Sequence, residues 1–129
     1  MHIDNFNTEN VHDMSYMHSN VQRLQRINIK NFKANNVVNM EYMFNYCQNI
    51  ISLDFSNFDI QKLEKTNNMF YMATSLESLD LTNFDTSQVT DMSYTFRNLQ
   101  AIISLDVSSL NVENVISMQQ MFLNLFFLW

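Results

Sequence analysis

The stretch Leu79-Asp80-Leu81-Thr82-Asn83-Phe84-Asp85-Thr86-Ser87-Gln88-Val89-Thr90-Asp91-Met92-Ser93-Tyr94-Thr95-Phe96 decides the fold. Its first four residues alternate apolar and polar, which is the period of a short strand with one buried face. Ten residues on, the spacing changes. Val89, Met92, Thr95 and Phe96 fall at i, i+3, i+6 and i+7, a helical stripe with Thr90 or Asp91 in place to cap it. The stretch therefore predicts a strand, an Asn-containing turn and a short helix, followed by a return loop.

The pattern recurs outward in both directions at a step of 26 residues. The pairs Asn5-Phe6, Asn31-Phe32, Asn57-Phe58 and Asn83-Phe84 are followed by Ser109-Leu110. Other columns hold the same step: Val11, Val37, Leu63, Val89, Val115; Met14, Met40, Thr66, Met92, Met118; Met17, Met43, Met69, Thr95, Met121; His18, Phe44, Phe70, Phe96, Phe122; and Leu24, Ile50, Leu76, Ile102, Leu128. Alternating segments stand at Leu53–Ser56 and Leu105–Ser108 as well. The chain thus divides into five units, about 1–26, 27–52, 53–78, 79–104 and 105–129. One such unit cannot bury its apolar face alone, whereas stacked copies bury it continuously. Parallel strands need a crossover, and such crossovers are right-handed. The expected fold is an α/β, leucine-rich-repeat-like right-handed solenoid, with a parallel sheet on one face and short helices on the other.

The segment 79–96 resembles the repeat of the BspA-like leucine-rich-repeat surface proteins, which is also that of mollicute surface lipoproteins. Asn39-Met40-Glu41-Tyr42-Met43-Phe44 with Cys47, and Leu53-Asp54-Phe55-Ser56-Asn57-Phe58-Asp59, resemble it too. The resemblance covers essentially the whole chain and implies a cell-surface or secreted protein that binds host or neighbouring-cell components. The glycine usual in that family before the cysteine is Tyr46 here. No lipobox cysteine and no basic-plus-apolar leader precede the first unit, so a cytoplasmic location or a fragment is the alternative.

Composition narrows the function. Net charge is −6, and Gly and Pro are both absent, while Asn occurs 19 times. Without glycine, asparagine is expected to fill turn positions of positive φ, and no glycine-rich phosphate loop is possible. Six of seven basic residues lie in 1–65, against seven acidic ones; residues 66–129 hold Arg97 against six carboxylates. That distribution argues against nucleic acid, which needs clustered Lys and Arg, and favours a basic partner for the C-terminal half. The longest apolar run, Leu125 to Trp129, is too short to cross a bilayer, so no direct membrane insertion is expected.

Candidate contact residues lie on two surfaces. The outward strand face carries the row His2, Asn28, Asp54, Asp80, Asp106, beside Asp4, Lys30, Ser56, Thr82, Ser108. Stacked like charges on neighbouring strands are unfavourable. The three aspartates therefore read either as a site for a cation or basic partner, or as repeat residues bonding nearby backbone; a flat carboxylate ladder supplies few of the oxygens that calcium wants. Tyr16, Tyr42 and Tyr94 share a second column, completed by Asn68 and Gln120, and read as contact residues or as cover for the helix. The Asn5, Asn31, Asn57, Asn83 column reads as turn stabilisation, and the Met stripe as core. His2, His12 and His18 have no zinc-ligand spacing; His18, in a phenylalanine column of the first unit, reads as a polar cap. Cys47 reads as a buried thiol. No catalytic constellation and no cofactor or metal set stands out. The expected function is a non-enzymatic protein-protein interaction or adhesion module, with a protein or surface glycan as partner. The alternative is a structural spacer or truncated, decayed repeat copy without a partner; the apolar last unit reads as that of a fragment or truncated copy, or else as a surface for self-association through the C-terminal end.

Overall fold

The structure, a computed structural model, describes residues 6–126. His2, Asp4, Asn5, Phe127, Leu128 and Trp129 lie outside the described residues. Two strands form, β1 (Ser52–Asp54) and β2 (Ser78–Asp80). They pair in parallel with Leu53 opposite Leu79 and Asp54 opposite Asp80. Both begin one residue before the alternating segments and stop at the aspartate. The segment Leu105–Ser108 forms no strand. A second line of parallel contacts runs Asp13–Asn39–Lys65–Asp91–Ser117 through isolated bridges, each joining residues 26 apart.

The expected helices are absent: among the described residues there is no helix at all, so the architecture is not an α/β solenoid with helices on one face. The backbone of 40–47 shows why. Phe44 donates its N–H not to Met40, as a helix requires, but to the carbonyl of Met69 in the next unit at 2.9 Å. Met40, Tyr42 and Tyr46 likewise reach Lys65, Asn67 and Tyr71 at 3.0, 3.3 and 2.8 Å. The alternate N–H groups turn back instead, Met43 to Met40, Asn45 to Tyr42 and Cys47 to Phe44, at 3.3, 3.1 and 3.3 Å. Glu41 finishes the set by donating to Asn39 Oδ1 at 2.9 Å. Every N–H of this wall is satisfied, half within the unit and half across to the next, so a helix has nothing to add.

Linked four-residue turns also explain the misleading stripe. Met40, Phe44 and Cys47 point inward with Met43, at i, i+3, i+4 and i+7, and all four are fully buried. That spacing is the amphipathic-helix template, but consecutive turns produce it equally well. Tyr42 and Tyr46 carry φ of 57° and 55°, values closed to a right-handed helix. Each is the third residue of its turn (40–43 and 44–47), where a type II turn requires positive φ.

The same two columns have positive φ in every unit: Tyr16, Tyr42, Asn68, Tyr94, Gln120, and Asn20, Tyr46, Met72, Asn98, Asn124. Asparagine fills four of the ten, tyrosine another four, so the expected load on Asn is shared. The left-handed conformation costs a residue with a Cβ roughly 1–2 kcal/mol. The cross-unit hydrogen bonds and the core hold it in place.

The core runs the length of the stack. Its axis is the aromatic column His18, Phe44, Phe70, Phe96, Phe122, with centroids 5.3, 6.1, 5.8 and 5.8 Å apart and planes within 25° of parallel. Phe55 stands edge-on to Phe44, Phe58, Phe70 and Phe84, locking the strand side against that column. Thr66 and Thr95, the polar exceptions in the two Met columns, are neighbours: the Thr95 hydroxyl lies 2.8 Å from the Met92 carbonyl and 3.2 Å from that of Thr66.

Candidate functional site

The aspartate row is brought together. Asp54, Asp80 and Asp106 line an open groove of about 770 Å³ over β1 and β2, with Ser78, Thr82 and Ser108. Each carboxylate is anchored two residues on. Asp54 Oδ1 accepts the Ser56 N–H at 3.0 Å and hydroxyl at 2.5 Å; Asp80 Oδ1 accepts those of Thr82 at 2.9 and 2.6 Å. Asp106 Oδ1 accepts the Ser108 N–H at 2.9 Å. These are Asx turns that end the strand and start the corner. The Ser56 hydroxyl, then its N–H, hold the Asp54 carboxyl below the usual carboxylate range, and Lys30 adds to this. Ser108 does the same for Asp106.

One oxygen of each aspartate thus serves the fold. On Asp54 the other meets Lys30 Nζ at 3.3 Å, both side chains remaining well exposed. An exposed pair of this kind contributes about 0–1 kcal/mol. Among the described residues, neither Asp80 nor Asp106 has a basic partner. Nor does any group of three or more His, Cys, Asp or Glu stand ready to hold a metal ion. A second hollow of about 600 Å³ continues the surface past Thr82, lined by Ser56, Asn57, Asp59, Asn83, Asp85 and Asn111.

The tyrosine column divides into two parts. Tyr16 and Tyr42 stack with centroids 4.7 Å apart. Asn68 interrupts the column, and Tyr94 joins a different group: its ring is 6.5 Å from Tyr71, which lies 5.4 Å from Tyr46. The Arg97 guanidinium lies 5.5 Å from the centroids of both Tyr71 and Tyr94. Tyr46, Tyr71 and Arg97 were not among the contact residues read from the sequence. Their signal was the spacing Tyr42, Asn45, Tyr46 repeated as Asn68, Tyr71, Met72 and Tyr94, Arg97, Asn98. All five tyrosines of the chain therefore occupy the wall opposite the core.

Two other expectations are corrected. His18 is no polar cap: it is 2% exposed, stacked on Phe44, with Nε2 unpaired among the described residues. Burial lowers its pKa and keeps it neutral. In the asparagine column, Asn83 bonds across units rather than to its own neighbours. Asn83 Nδ2 donates to the Ser56 carbonyl of the preceding unit, and Ser109, in the same column, reaches Leu81 at 2.9 Å. Asn36 and Asn114, in another column, donate likewise to Glu9 and Ser87 at 3.0 and 2.7 Å. These amides sew units together. Cys47 is buried as expected; its thiol donates to the His18 carbonyl at 2.7 Å, and burial pushes its pKa up to about 11.

No helix of the described residues is long and apolar enough to cross a membrane. Neither the curated proteins nor the solved structures contain a match to the chain. A family model does match, twice and with overlap, over residues 1–103 and 45–126. Its description is a Mycoplasma protein of unknown function, DUF285, and the two matches together span nearly the full length. The chain belongs to this Mycoplasma repeat family.

Proposed function

We propose that the chain is a non-catalytic binding module of a BspA-like cell-surface protein, whose groove over β1 and β2 receives a lysine- or arginine-bearing segment of a protein partner. The observation that carries this reading is Lys30 on Asp54. It displays, within the molecule, the kind of group the row accepts. Asp80 and Asp106 present the same carboxylate, fixed by the same turn, to solvent. Fixing one oxygen removes rotamer freedom before the partner arrives, which lowers the entropic cost of binding. The surplus of acidic charge in residues 66–129 steers a basic partner to the same end.

The test uses an oligolysine peptide as probe, titrated against the wild type and against Asp80→Asn/Asp106→Asn. Asparagine keeps the Oδ1 acceptor that the turn needs and removes only the charge. Weaker binding at equal or higher thermal stability supports the groove; equal binding refutes it. A spacer without a partner binds neither protein saturably. Digestion of intact cells with an external protease checks the surface location, which requires the chain to be cleaved.

The tyrosine–arginine wall supports a second reading, contact with a protein or surface glycan through Tyr16, Tyr42, Tyr46, Tyr71 and Tyr94. Tyrosine and arginine dominate binding hot spots because they bring large, stiff contact area with a polar tip. The Arg97 guanidinium, already aligned over two rings, is the observation that favours it.

A further inference from the structure

Arg97 is the sole basic residue of the sequence between 66 and 129, where six carboxylates stand. Charge alone would pair it with one of them. Among the described residues its side chain makes no ion pair and donates no hydrogen bond. Its Nε is buried without an acceptor, although the residue as a whole stays partly exposed.

The guanidinium lies against aromatic rings instead. Its carbon is 5.5 Å from the centroids of both Tyr71 and Tyr94. Those centroids are 6.5 Å apart with planes at 66°, so the guanidinium stands beside the pair and is not enclosed by it. Ring contacts use the faces of a guanidinium, whereas its N–H groups point outward in its own plane. The two tyrosines therefore hold the group in place and leave its donors unused. A fixed, weakly hydrated fork of donors is the counterpart of a planar oxyanion, which it takes through two parallel hydrogen bonds.

The surroundings narrow the ligand. Tyr46 stands edge-on to Tyr71 at 5.4 Å and is 38% exposed. A hydrogen bond with Tyr71 raises the Tyr46 pKa and the Arg97 charge opposes that rise, so the three polar tips lie together. Hydroxyls beside ring surface match a sugar, which offers hydroxyls at its rim and C–H bonds on its faces. An acidic peptide brings the carboxylate without that rim. The five net negative charges of residues 66–129 repel a polyanion or an anionic membrane, while one guanidinium suffices for one charge.

We infer that Arg97, Tyr46, Tyr71 and Tyr94 form a site for a carboxylated sugar, the uronic-acid type of residue at the end of a surface glycan. Arg97 takes the carboxylate, and the tyrosines take the hydroxyls and the ring. This site rests on the reading of the wall as a contact surface and names what the wall contacts.

The experiment is a nuclear magnetic resonance titration of the full chain with three probes: methyl glucuronide, methyl glucoside and a doubly capped glutamate. The two glycosides share their ring and differ in the carboxylate, so the wild type alone decides the main point. The glucuronide is expected to shift the Arg97 Nε–H and the Tyr71 and Tyr94 ring signals saturably. The glucoside should bind about tenfold more weakly, the share of a charged hydrogen-bonded contact. The capped glutamate should bind more weakly than the glucuronide as well. In Arg97→Gln, with a thermal melt like that of the wild type, the glucuronide should fall to the level of the glucoside. Equal binding of the two glycosides overturns the carboxylate site and leaves the wall a contact surface. A glutamate that binds as well as the glucuronide, or a preference that survives in Arg97→Gln, also overturns it. No shift with any probe overturns the site and the wall together. None of these readouts involves the aspartate groove, which stands or falls with the oligolysine titration.

Discussion

Replacing Met72 by glycine and, separately, by alanine separates a wall of turns from a helix by sign. Met72 has φ of 62°. Its sulfur accepts the Asn98 side-chain amide at 2.7 Å, and both replacements lose that contact alike. Their difference therefore isolates the backbone. Alanine in the left-handed region costs roughly 1–2 kcal/mol, which glycine escapes. Glycine gives back about 0.5–1 kcal/mol through the greater freedom of its unfolded chain. The glycine variant should be the more stable by about 0.5–1 kcal/mol. In a helix the order reverses, with glycine about 0.8–1 kcal/mol below alanine. Urea titrations followed by circular dichroism at one protein concentration resolve the gap. In thermal melts it corresponds to a few degrees in Tm. An alanine variant more stable than the glycine variant would refute the assigned backbone at this position.

Further consequences concern the core and the titrating groups. Phe70 is fully buried between Phe44 and Phe96, so Phe70→Ala should cost about 3–5 kcal/mol in the same titration. His18 has a folded pKa below its ordinary 6.5, because burial disfavours the charged ring. Stability from its neutral form is therefore present above pH 6.5 and is lost as pH falls towards the folded value. His18→Phe should remove that acid-side loss in stability measured against pH, while a variant that keeps the full loss contradicts it. The Cys47 thiol, raised to about 11, should resist a maleimide reagent at neutral pH and react at the ordinary rate in urea. Rapid labelling of the folded protein would show that the thiol is accessible.

Much of this molecule was legible in its sequence, for reasons visible in particular residues. Columns such as Phe44, Phe70 and Phe96 reveal the step because each ring must stack on its neighbour. The aspartate row could be read as lying on one face because residues at the same position of successive units share a face, and Asp54, Asp80 and Asp106 line one groove. The wall was misread because Met40, Met43, Phe44 and Cys47 satisfy the helix template, while the positive φ of Tyr42 and Tyr46 leaves no glycine to mark it. Positive φ at a tyrosine is held by tertiary hydrogen bonds, and these are not encoded locally. His18 was misread for a similar reason: its burial depends on the stack against Phe44, not on its own polarity.

The most direct test of the cross-unit wall is the scalar coupling that passes through a hydrogen bond in nuclear magnetic resonance, measured from the Phe44 amide nitrogen. The coupling is expected to the carbonyl carbon of Met69, which accepts that N–H at 2.9 Å. A coupling to Met40 instead, four residues back, would mean a helix and would contradict the account.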